Sequence, residues 1–455
     1  MKQLKCKRMK KAAIIILMFI LTVTLQAQNV DPKMQWFSDA KLGIFIHYGI
    51  YSVKGIGESW SFYNHEITYE EYMKQAEGFT ASKYDPAAWA ALFKEAGARY
   101  AVLTTKHHDG FALWDTKFSD LNAVKKSPAK RDLVGPYCEA LRAQGLKVGL
   151  YFSHLDWSNP DYASVETDKK GPVNEFSYAA PGKGNKEAWE RFIKFQRGQL
   201  NELQTLYKPD LLWFDGDWER SAEQWGMKEL RDILLKNQPD VILNSRMQGY
   251  GDYATPEQGV PVTAPKGPWE LCMTTNDSWG FQGRDNNYKS LNYIIQIFSE
   301  CIGMGGNLLL DIGPKPDGTI DGPQTAILKG LGRWTKKHQE AIWGTTAGLP
   351  LGHFYGPTTI SKDKKTIYLF YFGTPNGELV LKGIRNNIKN IRIVGSNTSL
   401  TWKRNGGAAW NRVPGNILMV LPQQELDNNC TVIAVEMEEE LDLFHGAGGN
   451  AIEAN

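Results

Sequence analysis

The chain is organised by an alternation. Between residues 29 and 344, short apolar runs give way repeatedly to longer stretches of helical periodicity. The runs are Leu42–His47, Tyr100–Thr105, Lys147–Phe152, Asp210–Asp215, Val241–Asn244, Trp269–Thr274 and Asn307–Ile312. Each is apolar nearly throughout rather than at every second position, the pattern of a strand covered on both faces. The helical stretches between them are Pro86–Ala98, Leu133–Gln144, Glu187–Tyr207, Trp225–Lys236, Leu291–Gly303 and Gln324–Gln339. Asp85 before Pro86 supplies an N-cap and a first-turn proline at one helix start. Repeated strand–helix units predict an α/β fold of the (β/α)8, TIM-like barrel type. Seven strand candidates stand out where a regular barrel has eight, so the ring is expected to be irregular.

After Gly344 the pattern changes. Thr358–Ser361, Thr366–Phe372, Gly377–Leu381, Ile388–Val394, Ser399–Lys403, Asn416–Leu421 and Thr431–Glu436 alternate or run apolar, with turns such as Thr374-Pro375-Asn376-Gly377 and Asn405-Gly406-Gly407. These predict a small antiparallel β-sandwich over 345–440. The Gly-, Ala- and Asn-rich end, 441–455, reads as a flexible tail.

The other end reads as an address. Lys2, Lys5, Lys7, Arg8, Lys10 and Lys11 precede Ala12–Leu25, whose 14 residues are apolar but for Thr22 and Thr24. That is short for a membrane span, which needs about 20 residues. With the small residue Ala27 after it, the segment reads as a signal peptide over 1–27, leaving the barrel at 28–344. The expected location is therefore exported, periplasmic or secreted, with no membrane attachment after signal removal. Without those six basic residues the chain has 46 basic residues against 50 acidic ones, so it lacks the electrostatic footprint of a nucleic-acid binder. Cys138, Cys272, Cys301 and Cys430 lie far apart and form no metal-ligand spacing; they are read as buried thiols.

In parallel α/β barrels the chemistry lies at the C-terminal ends of the strands. Four of the chain's eight histidines fall there: His47, His107, His108 and His154. Adjacent His107 and His108 can both face a ligand only where the strand has already ended. No His-x-His or His-Glu-x-x-His pattern accompanies them, so hydroxyl binding is favoured over a metal. Among carboxylates, Asp215 follows an apolar strand, with Asp217 and Glu219 in the loop beyond. Glu257 follows the next strand. Two carboxylates at neighbouring strand ends can flank a glycosidic bond, one attacking C1 and one protonating the leaving group. The 15 Trp and 19 Tyr suit sugar faces as well as cores.

Taken together, these strand ends resemble those of glycoside hydrolase family 29, the α-L-fucosidases. The matching pieces are Phe45-Ile46-His47-Tyr48-Gly49, Thr105-Lys106-His107-His108-Asp109-Gly110-Phe111, Gly149-Leu150-Tyr151-Phe152-Ser153, Trp213-Phe214-Asp215-Gly216, Asn244-Ser245-Arg246, Trp269-Glu270 with Ser278-Trp279-Gly280, and Gly305-Gly306-Asn307-Leu308-Leu309 running into Ile312-Gly313-Pro314-Lys315-Pro316-Asp317-Gly318. The resemblance implies a barrel followed by a β-sandwich and a retaining double displacement, with a fucosylated glycan or oligosaccharide as substrate and no cofactor or metal. Asp215 matches the nucleophile, expected to be kept ionised by nearby His and Arg. Glu257 is the preferred acid/base, which must carry its proton into the first step; Glu270 is its rival. His47, His107 and His108 match hydroxyl-binding histidines, and Tyr151, Trp213 and Arg246 match the pocket wall. Trp279 or Phe281 would face the sugar's C5 methyl. Many members place Glu directly before Trp in the loop after the first strand, whereas here the order is Glu58-Ser59-Trp60. Either the loop shifts and Glu58 still reaches a hydroxyl, or that contact is lost; Trp60 joins the substrate-binding set on the same footing.

Two other readings stay open on the residues alone: a silent carbohydrate-binding protein on the same fold, and a retaining glycosidase for a related sugar such as an α-L-galactoside. The C-terminal unit reads as a packing module, and a homo-oligomer is compatible with the sequence.

Overall fold

In the computed structural model, which describes residues 31–168, 173–396, 398–408, 410 and 412–445, the apolar runs form one parallel sheet. Its strands are β1 (Leu42–Ile46), β2 (Tyr100–Lys106), β3 (Lys147–Ser153), β4 (Leu211–Asp215), β5 (Ile242–Leu243), β6 (Glu270–Thr274) and β7 (Asn307–Ile312). Their order is β5-β4-β3-β2-β1-β7-β6, every pair parallel. The predicted signal peptide and residues 446–455 of the predicted tail lie outside the described residues.

The strand faces explain the unbroken hydrophobicity. Ile44 and Ile46 of β1, Ala101 and Leu103 of β2, Leu150 and Phe152 of β3, and Leu212 and Phe214 of β4 pack outward into the helix-covered core. Their alternates Phe45, Val102, Tyr151 and Trp213 form an inner cluster with Ile242 of β5, Cys272 of β6 and Leu309 of β7. Each such apolar side chain contributes roughly 1.5–3 kcal/mol when fully buried, so a one-residue register slip is heavily disfavoured. The sheet differs from a regular eight-stranded barrel in that seven strands are formed among the described residues. Between its edges runs an extended segment that bridges both: Tyr253 pairs with Asn244 after β5, while Ala254 and Glu257 pair with Trp269 and Cys272 at β6. The bridges are isolated because Pro256 has no amide to donate and Gly251 and Gly259 interrupt the run.

The crossover helices are α1 (Pro86–Ala96), α2 (Val134–Ala143), α3 (Lys186–Tyr207), α4 (Met227–Asn237), α5 (Leu291–Gly303) and α6 (Gly322–Lys337). Asp85 caps α1 by accepting from the Ala88 N–H at 3.0 Å, ahead of the first-turn proline.

Beyond Gly344 two antiparallel sheets follow. Strands β8 (Thr345–Ala347), β9 (Thr358–Ser361), β10 (Thr366–Tyr371), β12 (Ile388–Ile393) and β15 (Thr431–Met437) form one, in the order β12-β15-β10-β9-β8. Strands β11 (Leu379–Leu381), β13 (Trp402–Asn405) and β14 (Asn416–Met419) form the other, in the order β11-β14-β13. Alternation within β10 divides its burial: Ile367 and Leu369 join a core shared with Leu379, Leu381, Ile417 and Met419 of the smaller sheet. Tyr368 and Phe370 point the other way, into the core of the parallel sheet and its helices. Strand β10 is thus buried on both faces, and the described residues from Lys33 onward form one compact unit.

Residues 441–444 depart from the expected flexible tail. Leu441 and Leu443 pack against the C-terminal core, and the amides of Leu441 and Phe444 donate to Lys364 O and Gly383 O. Two leucines at alternating positions carry enough apolar surface to hold this strip down. The cysteines match expectation: Cys138, Cys272, Cys301 and Cys430 are free and buried. Among the described residues no helix is long and apolar enough to cross a membrane.

Candidate active site

The carboxyl ends of the strands converge on one pocket of about 110 Å³. Its wall holds Asp215 and Glu257, the histidines His47, His107 and His108, Arg246, and a set of aromatic rings: Phe45, Trp60, Tyr151, Trp213, Trp218 and Trp279. Glu58 and Cys272 complete it.

Asp215 is the last residue of β4. Its Oδ2 accepts from the Tyr151 hydroxyl at 2.9 Å, across the β3–β4 register. Its Oδ1 accepts from Arg246 at 3.0 Å and from the Gly216 N–H at 2.9 Å. Gly216 sits at φ 80°, a conformation that turns the chain sharply away and leaves the carboxylate facing the pocket. Burial pushes the Asp215 pKa up, while Arg246, Tyr151 and Gly216 pull it back. The positive charge comes from arginine alone. Of the expected His and Arg charge or hydrogen bonds, the histidines supply no charge, because burial holds His47, His107 and His108 well below the ordinary 6.5 and leaves them neutral.

The adjacent histidines both reach the pocket because β2 ends at Lys106, after a register irregularity between Thr104 and Lys106. His107 Nδ1 lies 2.7 Å from Ser59 Oγ and His108 Nδ1 lies 2.6 Å from Ser153 Oγ. His47 Nδ1 lies 2.6 Å from Asp311 Oδ1. Each ring is therefore tethered by Nδ1, leaving Nε2 for a ligand. His107, His108 and Asp215 each place a potential donor atom within 4.8 Å of the others, a convergence the spacing had not suggested. His154, the fourth strand-end histidine, is instead bonded to Arg246 O and Gln196 behind the pocket.

The two acid/base candidates separate cleanly. Glu257 lines the pocket with its side chain 41% exposed, paired with Arg246 at 2.7 Å. Glu270 opens β6, at the opposite end of the sheet from Asp215, and is fully buried. It accepts from the hydroxyls of Tyr100 and Tyr253 and from the Trp213 indole N–H at 2.6, 3.1 and 2.8 Å. With no access to a ligand, it anchors the pocket-lining Trp213 ring from beneath.

The Glu58-Ser59-Trp60 departure is absorbed by the backbone. Ser59 takes φ 26°, and the extra residue leaves both neighbours on the pocket wall. The Glu58 carboxylate is buried, which raises its pKa, and it accepts from the Gly280 N–H. Of the two residues proposed for the methyl wall, Trp279 lines the pocket, whereas Phe281 lies outside the lining with its ring near Lys315 Nζ. Trp218, on the loop after Asp215, was not foreseen as a wall residue. It is 44% exposed and its ring lies nearly parallel to Trp60, 6.4 Å away. Its position two residues beyond Gly216 was the available signal.

A carboxylate pair joined by one arginine, among neutral histidines and aromatic rings at the strand ends of a parallel α/β sheet, is the equipment of a carbohydrate-active hydrolase. The comparisons narrow that class. A family model described as Alpha-L-fucosidase matches residues 21–340. The tissue alpha-L-fucosidase of Macaca fascicularis is 32% identical over 429 residues, covering 86% of this chain and 85% of its own. Among solved structures, alpha-L-fucosidase isoenzyme 1 of Paenibacillus thiaminolyticus superposes with a TM-score of 0.80 at 31% identity, covering 90% of this chain and 99% of that one. A GH29 alpha-L-fucosidase of Bacteroides thetaiotaomicron, captured as a covalent intermediate with 2-fluoro-fucosyl fluoride, gives 0.78 at 26% identity, covering 91% and 98%. The chain belongs to the alpha-L-fucosidase family, glycoside hydrolase family 29.

Proposed function

We infer that the chain is a retaining exo-α-L-fucosidase in which Asp215 is the nucleophile and Glu257 the acid/base. The observation that carries the assignment is the single guanidinium of Arg246 between these two carboxylates at the pocket wall. In the first step an Asp215 oxygen attacks C1 of the terminal fucose. The bond to the leaving oxygen breaks, and that oxygen takes the proton of Glu257. In the second step Glu257 takes a proton from water, the water oxygen attacks C1, and the ester to Asp215 breaks. Two inversions return the sugar with its original configuration. Nucleophile, proton and charge stabilisation all come from side chains, so the reading includes no metal and no cofactor.

His47, His107, His108, Trp60, Tyr151, Trp213 and Trp279 would hold the sugar ring, Trp279 giving an apolar contact for the C5 methyl. Such a contact discriminates by about 1–3 kcal/mol per methylene-sized difference. The substrate partner is a fucosylated glycan or oligosaccharide, and the basic-then-apolar N-terminus supports export to the periplasm or beyond. The segment bridging both sheet edges supports a closed, irregular barrel ending near Gly344, and the core shared by the two antiparallel sheets supports a β-sandwich after it.

The test is hydrolysis of 4-nitrophenyl α-L-fucoside by wild type and by Asp215→Ala with and without azide. The expected result is rapid release by wild type, collapse in the variant, and azide rescue giving the β-fucosyl azide. Fucose binding without turnover by wild type would make it a binding protein. A higher kcat/KM on the α-L-galactoside would change the sugar.

A further inference from the structure

The two adjacent imidazoles are tethered by different serines, and the two hydroxyls stand in different bonding situations. Ser153 Oγ donates its one proton to Leu155 O at 2.9 Å. It has only lone pairs left for His108 Nδ1, 2.6 Å away, so His108 must donate there. Neutral His108 then carries its proton on Nδ1 and leaves Nε2 bare, 3.7 Å from Asp215 Oδ2.

Ser59 is the mirror case. Its Oγ already accepts the Asp109 N–H at 2.9 Å, and it is wholly buried. Its own proton needs an acceptor inside the protein, and His107 Nδ1 lies 2.7 Å away. Donation to that nitrogen satisfies both groups; the reverse direction would strand the buried hydroxyl proton. Neutral His107 then holds its proton on Nε2. Ser59 is itself held firmly: Tyr72 Oη accepts the Ser59 N–H at 3.0 Å and donates to Asp109 Oδ2 at 2.7 Å.

We propose that Ser59 and Ser153 are positioning residues that set the histidine pair to opposite polarity, His107 offering an Nε2–H donor and His108 a bare Nε2 acceptor. With ring centroids 4.1 Å apart, the pair fits two neighbouring hydroxyls of one sugar ring, one accepting and one donating. A bare Nε2 beside Asp215 also leaves the carboxylate to Tyr151, Arg246 and Gly216, and a substrate hydroxyl can donate to His108 without competition from the ring. The role in sugar recognition rests on the fucosidase reading; the proton positions do not.

The test has two arms. Neutron diffraction from deuterium-exchanged crystals near pH 7 should place deuterons on His107 Nε2 and His108 Nδ1. A deuteron on His107 Nδ1 or on His108 Nε2 overturns the proposal, whatever the enzyme's activity. In the kinetic arm, Ser59→Ala keeps the backbone requirement at φ 26° and Ser59→Gly relieves it; both lack the hydroxyl. Both should raise KM for 4-nitrophenyl α-L-fucoside by about 2- to 12-fold with kcat nearly unchanged. The penalty should vanish for one monodeoxy fucoside and persist for the others. A uniform penalty on every substrate, or a normal KM in Ser59→Gly alone, would make Ser59 merely structural and sink the proposal. Wild type inactive on the fucoside would sink the function and leave the diffraction result to decide the proton positions.

Discussion

Arg246 holds both carboxylates of the pocket at once, Nη1 lying 3.0 Å from Asp215 Oδ1 and Nη2 2.7 Å from Glu257 Oε2. Its charge leads the three influences, with the Tyr151 and Gly216 hydrogen bonds, that oppose the burial raising the Asp215 pKa. Arg246→Leu is therefore expected to lower kcat by roughly 10²–10³-fold. It should also move the acidic limb of the pH–rate profile upward. The sign follows from the chemistry: the nucleophile works ionised, and losing Arg246 makes it ionise later as pH rises. An unmoved acidic limb would show that Arg246 does not set the Asp215 charge.

Glu257 and Glu270 should fail in different ways. Glu257→Gln is expected to cost about 10²–10⁴-fold on fucosides with poor leaving groups and far less where the leaving group needs no proton. Glu270→Gln should keep the wild-type dependence on leaving group and lose stability instead, by about 1–3 kcal/mol, because three buried donors lose an ideal acceptor. Steady-state rates across a leaving-group series, with a thermal melt of each variant, separate the two.

Glu270 also predicts a pH dependence of stability. Burial pushes its pKa up to about 7 from an ordinary 4.5. The folded state then holds the proton more tightly than the unfolded one. The group's contribution is fully present below 4.5 and is lost as pH rises to about 7. Melting temperatures measured across that window should fall for wild type relative to Glu270→Gln; parallel curves would contradict the assignment.

Activity should survive exhaustive EDTA treatment. His107, His108 and Asp215 place donor atoms within 4.8 Å of one another, so the point needs a direct measurement. Loss of turnover on chelation, restored by one divalent ion, would replace hydroxyl binding with metal chemistry at this cluster.

The strand framework was legible because burial on both faces leaves an unbroken apolar signature. Asn307–Ile312 is bounded as expected, and Tyr100–Lys106 extends the expected strand by one residue. Ile242–Leu243 is shorter than the expected Val241–Asn244, and the bridging segment at 253–257 was not legible, since proline and glycine erase the pattern there. Thr345–Ala347 was missed because Thr346 and Ala347 are exposed and carry no alternation. In the pocket, strand-end residues such as Asp215, Tyr151 and Trp213 were readable by position. Glu270 entered as a rival through an aligned Trp-Glu piece, although the run Trp269–Thr274 already put it at the start of its strand; its burial among Tyr100, Trp213 and Tyr253 required the packing. Trp218 and the tether between Ser59 and His107 depend on loops meeting across the pocket, which no local pattern encodes.

If Asp215 forms the covalent intermediate, trapping that ester shows it outright. Incubation with 2-fluoro-fucosyl fluoride should slow deglycosylation enough for the ester to accumulate. Intact-mass spectrometry should then show one 2-fluorofucosyl unit per chain, and peptide mapping should place it on Asp215. A label on any other carboxylate, or fluoride release with sugar of inverted configuration and no adduct, would contradict the account.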